Sequence, residues 1–198
     1  ALRTSLLNLL INGDLSGERE IRDIVSYTHV GLERPPFVAA ILRIGHGGTA
    51  SETPEVREVE IAGVAVEDAL EKHLGARSEW MWYRPAEIVV VIGLGGGGQT
   101  RTQSDIDTIV DTLQDELETD FRIMTTIGIG TLQDRLIDIN HSFAAAAHAL
   151  ESADPGGQRK IRYDDLPKSR LIFDYPLDVE SRLMGFARAG NMEEVRRI

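Results

Sequence analysis

Cysteine is absent from this 198-residue chain. That excludes disulfides and thiolate metal sites, and it is compatible with a reducing cytoplasm. Positive charge is also scarce: 21 Lys and Arg face 32 Asp and Glu, a net charge of −11. Phosphate backbones are held by clustered Lys and Arg, so this segment by itself is a poor partner for DNA or RNA. No apolar run is long enough to span a bilayer and no signal-peptide pattern opens the chain, so direct membrane contact by this segment is not expected. An initiator Met is missing as well. The chain begins inside one amphipathic run, "ALRTSLLNLLI", and ends inside another, "NMEEVRRI". It reads as a segment of a longer protein.

What is present is enough apolar residue, 42%, to bury a sizeable core. Leu2, Leu6, Leu9 and Leu10 recur at helical spacing and form a stripe suited to weak self-association. A second helix is predicted over 18–29, and the Pro pair of "GLERPP" ends that region. "FVAAILRI" (37–44) reads as a strand buried on both faces. Thr53 followed by Pro54 predicts a helix start, with Val59, Gly63, Val66, Leu70 and Leu74 on its buried face. "EWMWYR" and "IVVVIGL" are two strands joined so tightly that a hairpin is expected. Ser104 with Asp107, and Thr131 with Asp134, predict capping boxes for two further helices, with the strand "FRIMTTIGIG" between them. Leu132, Leu136, Ile139, Phe143 and Leu150 form the face of the second helix, and "KIRY" is a short edge strand. From residue 37 the first six elements are βαββαβ, a split-βαβ order. The expected class is α+β: a ferredoxin-like, antiparallel-rich sheet with helices on one face and helical appendages at both ends.

Several motifs suggest chemistry and fail its requirements. Gly93, Gly95 and Gly98 satisfy G-x-G-x-x-G after a strand. A dinucleotide site, however, needs the helix to open at those glycines and an acid after the next strand. Gln99 stands where a phosphate-binding loop has its lysine. The stretch reads as a loop. His141 and His148 are two turns apart, too far to share a metal unaided, and His29, His46 and His73 form no ligand pattern. There is no H-E-x-x-H and no G-x-S-x-G. Trp80, Trp82 and Tyr83 read as sheet-face packing.

The element order, the tight hairpin with Glu87 at its bend and the strand "TTIGIG" before an Ala-rich helix resemble the GGDEF domain of diguanylate cyclases. That resemblance places the family's Gly-Gly-Asp/Glu-Glu-Phe hairpin on Arg84, Pro85, Ala86, Glu87 and Ile88, and its first-strand Asp pair on Arg43 and Gly45. The glycines let backbone N–H groups approach a triphosphate. Arg84 adds bulk there and Pro85 has no N–H to donate. Mg²⁺ needs carboxylate oxygen, and Arg43 and Ala86 supply a cation and a methyl instead. The resemblance therefore implies a degenerate, nucleotidyl-cyclase-like domain without catalysis, metal or cofactor.

A second resemblance lies in "TTIGIGTLQDRLIDINHSFAAAAHALES" and "DYPLDVESRLMGFARAGNMEEVRRI". Both look like the central region of large AraC-type transcriptional regulators, in which a GGDEF-like domain precedes a helix-turn-helix. It implies three parts: a helical signalling segment (1–34), the degenerate domain (35–166) and a connector (167–198). The connector carries Pro176 at a helix start, Leu183 and Phe186 on an apolar face, and Gly190 at the stop. DNA would be reached only through a C-terminal domain outside this chain. The parent would be cytoplasmic or anchored in the membrane by a segment elsewhere. The alternative is an effector sensor that holds a small molecule in the vestigial nucleotide cleft.

Overall fold

In a computed structural model, the structure describes residues 2–15, 17–28, 30–32, 34–45, 56–95, 103–154 and 159–167. Contacts divide the chain into a unit ending at Asp165 and a second from Leu166 to Ile198. The capping residues Thr53 and Pro54, the glycines after Gly95 and the connector residues Pro176, Leu183, Phe186 and Gly190 lie outside the described residues.

Within the first unit, α1 (Leu2–Asn12) and α2 (Glu18–Thr28) precede β1 (Phe37–Gly45). Then follow α3 (Val56–Leu74), β2 (Ser78–Arg84), β3 (Glu87–Gly93), α4 (Gln103–Phe121), β4 (Met124–Ile129), α5 (Ile139–Glu151) and β5 (Lys160–Arg162). The sheet order is β2-β3-β1-β4-β5. β1 pairs antiparallel with both β3 and β4, and β5 joins β4 in parallel. This is the βαββαβ arrangement with a fifth edge strand, an α+β fold of the nucleotidyl-cyclase type.

The sheet is covered on both faces, not on one. Side chains of a strand alternate between faces. Phe37, Ala39 and Ile41 of β1 join Val89 and Val91 of β3 in a core with Leu6, Leu7 and Leu10 of α1, Ile21 and Val25 of α2, and Ala146 and Leu150 of α5. Val38, Ala40, Leu42 and Ile44 join Ile88, Val90 and Ile92 in the opposite core, with Val66 and Leu70 of α3 and Ile106, Val110 and Leu117 of α4. The leucine stripe expected to serve self-association is thus largely consumed inside the chain: Leu6 and Leu10 are buried, and Leu9 is exposed.

Two glycines explain how α5 lies so close to β4. A Cβ on Gly128 would sit 2.3 Å from the Ala146 carbonyl oxygen, and one on Gly130 would sit 2.0 Å from that of Ser142. The Ala-rich face of α5 supplies the other half of this approach, with Ala145, Ala146 and Ala149 buried. Where β4 ends, the Ser142 hydroxyl accepts the Ala39 N–H at 2.8 Å and so completes the ladder of β1. Gly63 plays a similar part in α3, because a Cβ there would meet the Trp82 ring at 2.6 Å.

Both expected capping boxes are absent. α4 already begins at Gln103, so Ser104 is inside it, and Asp107 binds Arg162. Thr131 accepts a bond from the Gln133 side chain, and Gln133 exchanges backbone bonds with Phe37. A 3₁₀ turn over Leu136–Asp138 then leads into α5, and Leu132 lies outside the helix and exposed.

Candidate functional site

The residues singled out by the hairpin resemblance do converge, at the end of the sheet where β1 finishes and β2 turns into β3. Arg43 is the cross-strand partner of Glu87 in the β1–β3 pair, and Arg84 is its partner in the β2–β3 pair. Glu87 is buried, yet it is an acid. Its Oε1 accepts from Arg43 Nε at 2.9 Å and lies 2.9 Å from Arg43 Nη2. Its Oε2 lies 3.9 Å from Arg84 Nη1. A buried carboxylate is tolerated only when charge and hydrogen bonds compensate its lost hydration, and the two arginines supply both. Arg84 also stacks its guanidinium 5.0 Å from the centre of the Tyr83 ring.

The bend is made by Pro85 and Ala86 between the two strands. Ala86 has φ +63°, in the left-handed region that glycine adopts freely and alanine does not. Its carbonyl accepts the Ile44 N–H at 2.8 Å, which ties the bend to β1. Ala86 is therefore held in a glycine-like conformation by its neighbours. Gly45, the last residue of β1, sits opposite Met124, and a Cβ there would have 3.7 Å to the Met124 carbonyl oxygen. Among the described residues the carboxylate at this corner is Glu87, engaged by Arg43 and Arg84, and Pro85 removes one backbone donor from the turn.

The glycine-rich stretch that looked like a phosphate loop opens at the opposite end of the sheet. Gly93 pairs with Phe37 at the start of β1, and Gly95 donates its N–H to the Arg34 carbonyl. A Cβ on Gly95 would lie 2.3 Å from the Pro35 carbonyl oxygen, so close backbone packing explains that glycine. Trp82 and Tyr83 pack as expected of sheet-face aromatics. Trp82 donates to Glu67 at 3.0 Å, and Tyr83 meets Phe143 edge-on at 5.2 Å. Of the histidines, His73 binds Glu116, and the Nδ1 of His148 is a buried side-chain atom without a hydrogen-bond partner among the described residues.

Sequence reasoning missed three polar features. Gln114 of α4 is buried and donates to the carbonyls of Thr125 at 3.0 Å and Arg159 at 3.1 Å, which links α4 to β4 and to the start of β5. A ladder of ion pairs, Arg159–Glu118, Lys160–Asp111 and Arg162–Asp107, fastens β5 to α4. Glu116 receives both Lys72 and His73 across the α3–α4 contact, and those hydrogen bonds hold its carboxyl below the ordinary range. Nothing local in the sequence identified these partners.

The family model described as a GGDEF-like domain matches residues 12–152. The fold is similar to the GGDEF domain of FimX from Pseudomonas aeruginosa, at 12% identity over 75% of this chain and 94% of that one, with a TM-score of 0.44. It is also similar to the diguanylate cyclase SiaD in complex with its activator SiaC from Pseudomonas aeruginosa, at 12% identity over 81% of this chain and 57% of that one, with a TM-score of 0.46. No curated protein matches the sequence.

Proposed function

Because the chain belongs to the GGDEF-like domain family, we propose that it is a non-catalytic, signal-transducing member, the central domain of an AraC-type bacterial transcription regulator. The observation that carries the loss of catalysis is the Arg43–Glu87 pair. A cyclase must hold a divalent cation beside a triphosphate on carboxylate oxygens, and the metal neutralises the charge that develops during phosphoryl transfer. Here the first-strand position carries a guanidinium, the hairpin position carries the methyl of Ala86, and the remaining acid is engaged by Arg43.

The regulator context rests on the sequence resemblance of 125–152 and 174–198. In this reading the segment 1–34 receives the input through its packing on the sheet. The domain 35–166 passes it on, and the connector 167–198 delivers it to a helix-turn-helix beyond residue 198. Effector binding in the vestigial cleft has weaker support, since that corner is occupied by the ion pair.

The test is direct. The purified chain, incubated with GTP and either Mg²⁺ or Mn²⁺, should form no cyclic di-GMP, and Ala86→Asp alone should not create activity. Product from the unmodified chain would overturn the reading. In the full-length protein, Phe186→Ala should alter a reporter's response to inducer at normal protein level. An unchanged response would reduce the connector to a tether.

A further inference from the structure

The residues of α4 that meet β5 recur at helical spacing. Asp107, Asp111, Gln114 and Glu118 share one face of that helix. Bases from the β5 segment meet this face in order. Arg162 Nε donates to Asp107 Oδ1 at 2.8 Å and Lys160 Nζ to Asp111 Oδ1 at 2.6 Å. Arg159, just before the strand, donates to Glu118. The Arg159 carbonyl accepts the Gln114 side chain at 3.1 Å and the Ile127 N–H at 2.7 Å.

The rest of the attachment is slight. β5 has three residues and lies at the edge of the sheet, in parallel register with Ile127, Gly128 and Ile129. Parallel pairing is weaker per residue than antiparallel pairing. Its apolar side chain, Ile161, is buried, but among the described residues it belongs to neither of the sheet's two cores. The adjoining Tyr163 meets His148 edge-on at 5.6 Å. Asp107, Asp111 and Glu118 are 31%, 57% and 41% exposed, so water and salt screen their pairs. A segment held by few apolar contacts and by exposed charge opens more often than the core beside it. Its place in the chain gives such an opening a consequence: the first unit ends at Asp165, in the 3₁₀ turn that follows β5.

We propose that β5 is a charge-held latch: it leaves the edge of β4 as a unit while the rest of the sheet stays folded, and so adds slack to the chain that leads into residue 166. The opening belongs to the fold itself; its use as an output step rests on the connector reading given above. Exchange in the isolated chain tests the opening without reference to that reading.

The measurement is native-state amide hydrogen exchange on the 198-residue chain. The Ile127 amide reports the latch, because its bond goes to Arg159, and the amides of the β1–β3 ladder report the core. After correction for intrinsic rates, Ile127 should exchange at least about tenfold faster than those core amides, and low urea should leave its rate nearly unchanged, since a local opening exposes little surface. Raising NaCl from about 0.05 to 0.5 M should speed Ile127 severalfold. Asp107→Asn, Asp111→Asn and Glu118→Gln together should speed it about tenfold. Val25→Ala, in the core on the α2 side, should speed the β1–β3 amides and leave Ile127 as it was, because opening the latch breaks no contact of α2. Exchange of Ile127 at the rate of the core amides, or acceleration by Val25→Ala equal to theirs, would make β5 part of the cooperative core and overturn the proposal. So would an Ile127 rate indifferent to both salt and the triple substitution, because the strand would then not be held by charge.

Discussion

Glu87 and Ala86 are neighbours with opposite burdens. Glu87 carries charge into the sheet and depends on Arg43 to stay there. Removing one partner of such a pair costs more than the pair contributes, because the remaining charge keeps its desolvation penalty. Arg43 is partly exposed and Arg84 stands near, which softens the loss. Arg43→Ala should therefore destabilise by about 1–2 kcal/mol, and a double-mutant cycle with Glu87→Gln should show a coupling above about 0.5 kcal/mol. Additive single effects in urea unfolding would make the pair a surface contact. At Ala86 the burden is conformational. Glycine relieves the positive φ at a cost of about 1–2 kcal/mol avoided, offset by the lost buried methyl and a freer unfolded chain. Ala86→Gly should be nearly neutral, within about 0.5 kcal/mol, whereas the β-branched Ala86→Val should cost about 2 kcal/mol or more. Equal stability of the two variants would show that the bend relaxes.

At the scale of elements, α5 on β4 has the least room. The Cβ of Gly128→Ala would enter the Ala146 carbonyl, and the backbone of a packed helix cannot step aside cheaply. A loss of about 3 kcal/mol or more is expected, read as a fall in the unfolding midpoint. The α3–α4 contact answers to pH instead. Glu116 is held below its ordinary value by Lys72 and His73. Its contribution is present above the unfolded carboxylate pKa and is lost as pH falls through the lower, folded value. Glu79 has the opposite sign: its folded value is raised, so stability declines as pH climbs from the unfolded value through the folded one. Glu116→Gln should flatten the acid limb of the stability profile and Glu79→Gln the decline above it. The reverse assignment would refute both.

These elements were unequally legible. Periodicity located α1, α2 and all five strands, because alternation and helical spacing are local properties of the chain. Helix starts were read poorly. Ser104 and Thr131 carry capping chemistry, but the helices begin where tertiary contacts place them, one at Gln103 and one after the 3₁₀ turn at Leu136. The double-sided cover was in principle readable, since the unbroken apolar strands 37–44 and 88–94 need partners on both faces. The convergence of Arg43, Arg84 and Glu87 followed from the hairpin resemblance, but their hydrogen bonds did not. Partners forty-four positions apart leave no local trace.

For the whole molecule, the leucines of α1 are the revealing case. Leu6 and Leu10 are buried against the sheet and α5. Leu6→Glu should therefore unfold or strongly destabilise the chain, by about 3 kcal/mol or more, and should not act by separating a dimer. A folded variant of unchanged stability and halved molar mass in light scattering would show the contrary. The net charge of −11 gives a second expectation at this scale: the chain alone should show no salt-dependent binding to duplex DNA.

The same burial has a consequence for biosynthesis. α1 leaves the ribosome before the elements that cover it, and much of its resting place is built from β2 and α5, the last of which ends at Glu151. At about 5–20 residues per second, the leucines of α1 wait on the order of ten seconds before the surface that covers them is complete. Throughout that interval the nascent chain displays an apolar helix whose cover lacks α5. A helix made early in this domain is thus among the last to be fully sheltered, so a ribosome stalled before α5 would release a sticky product.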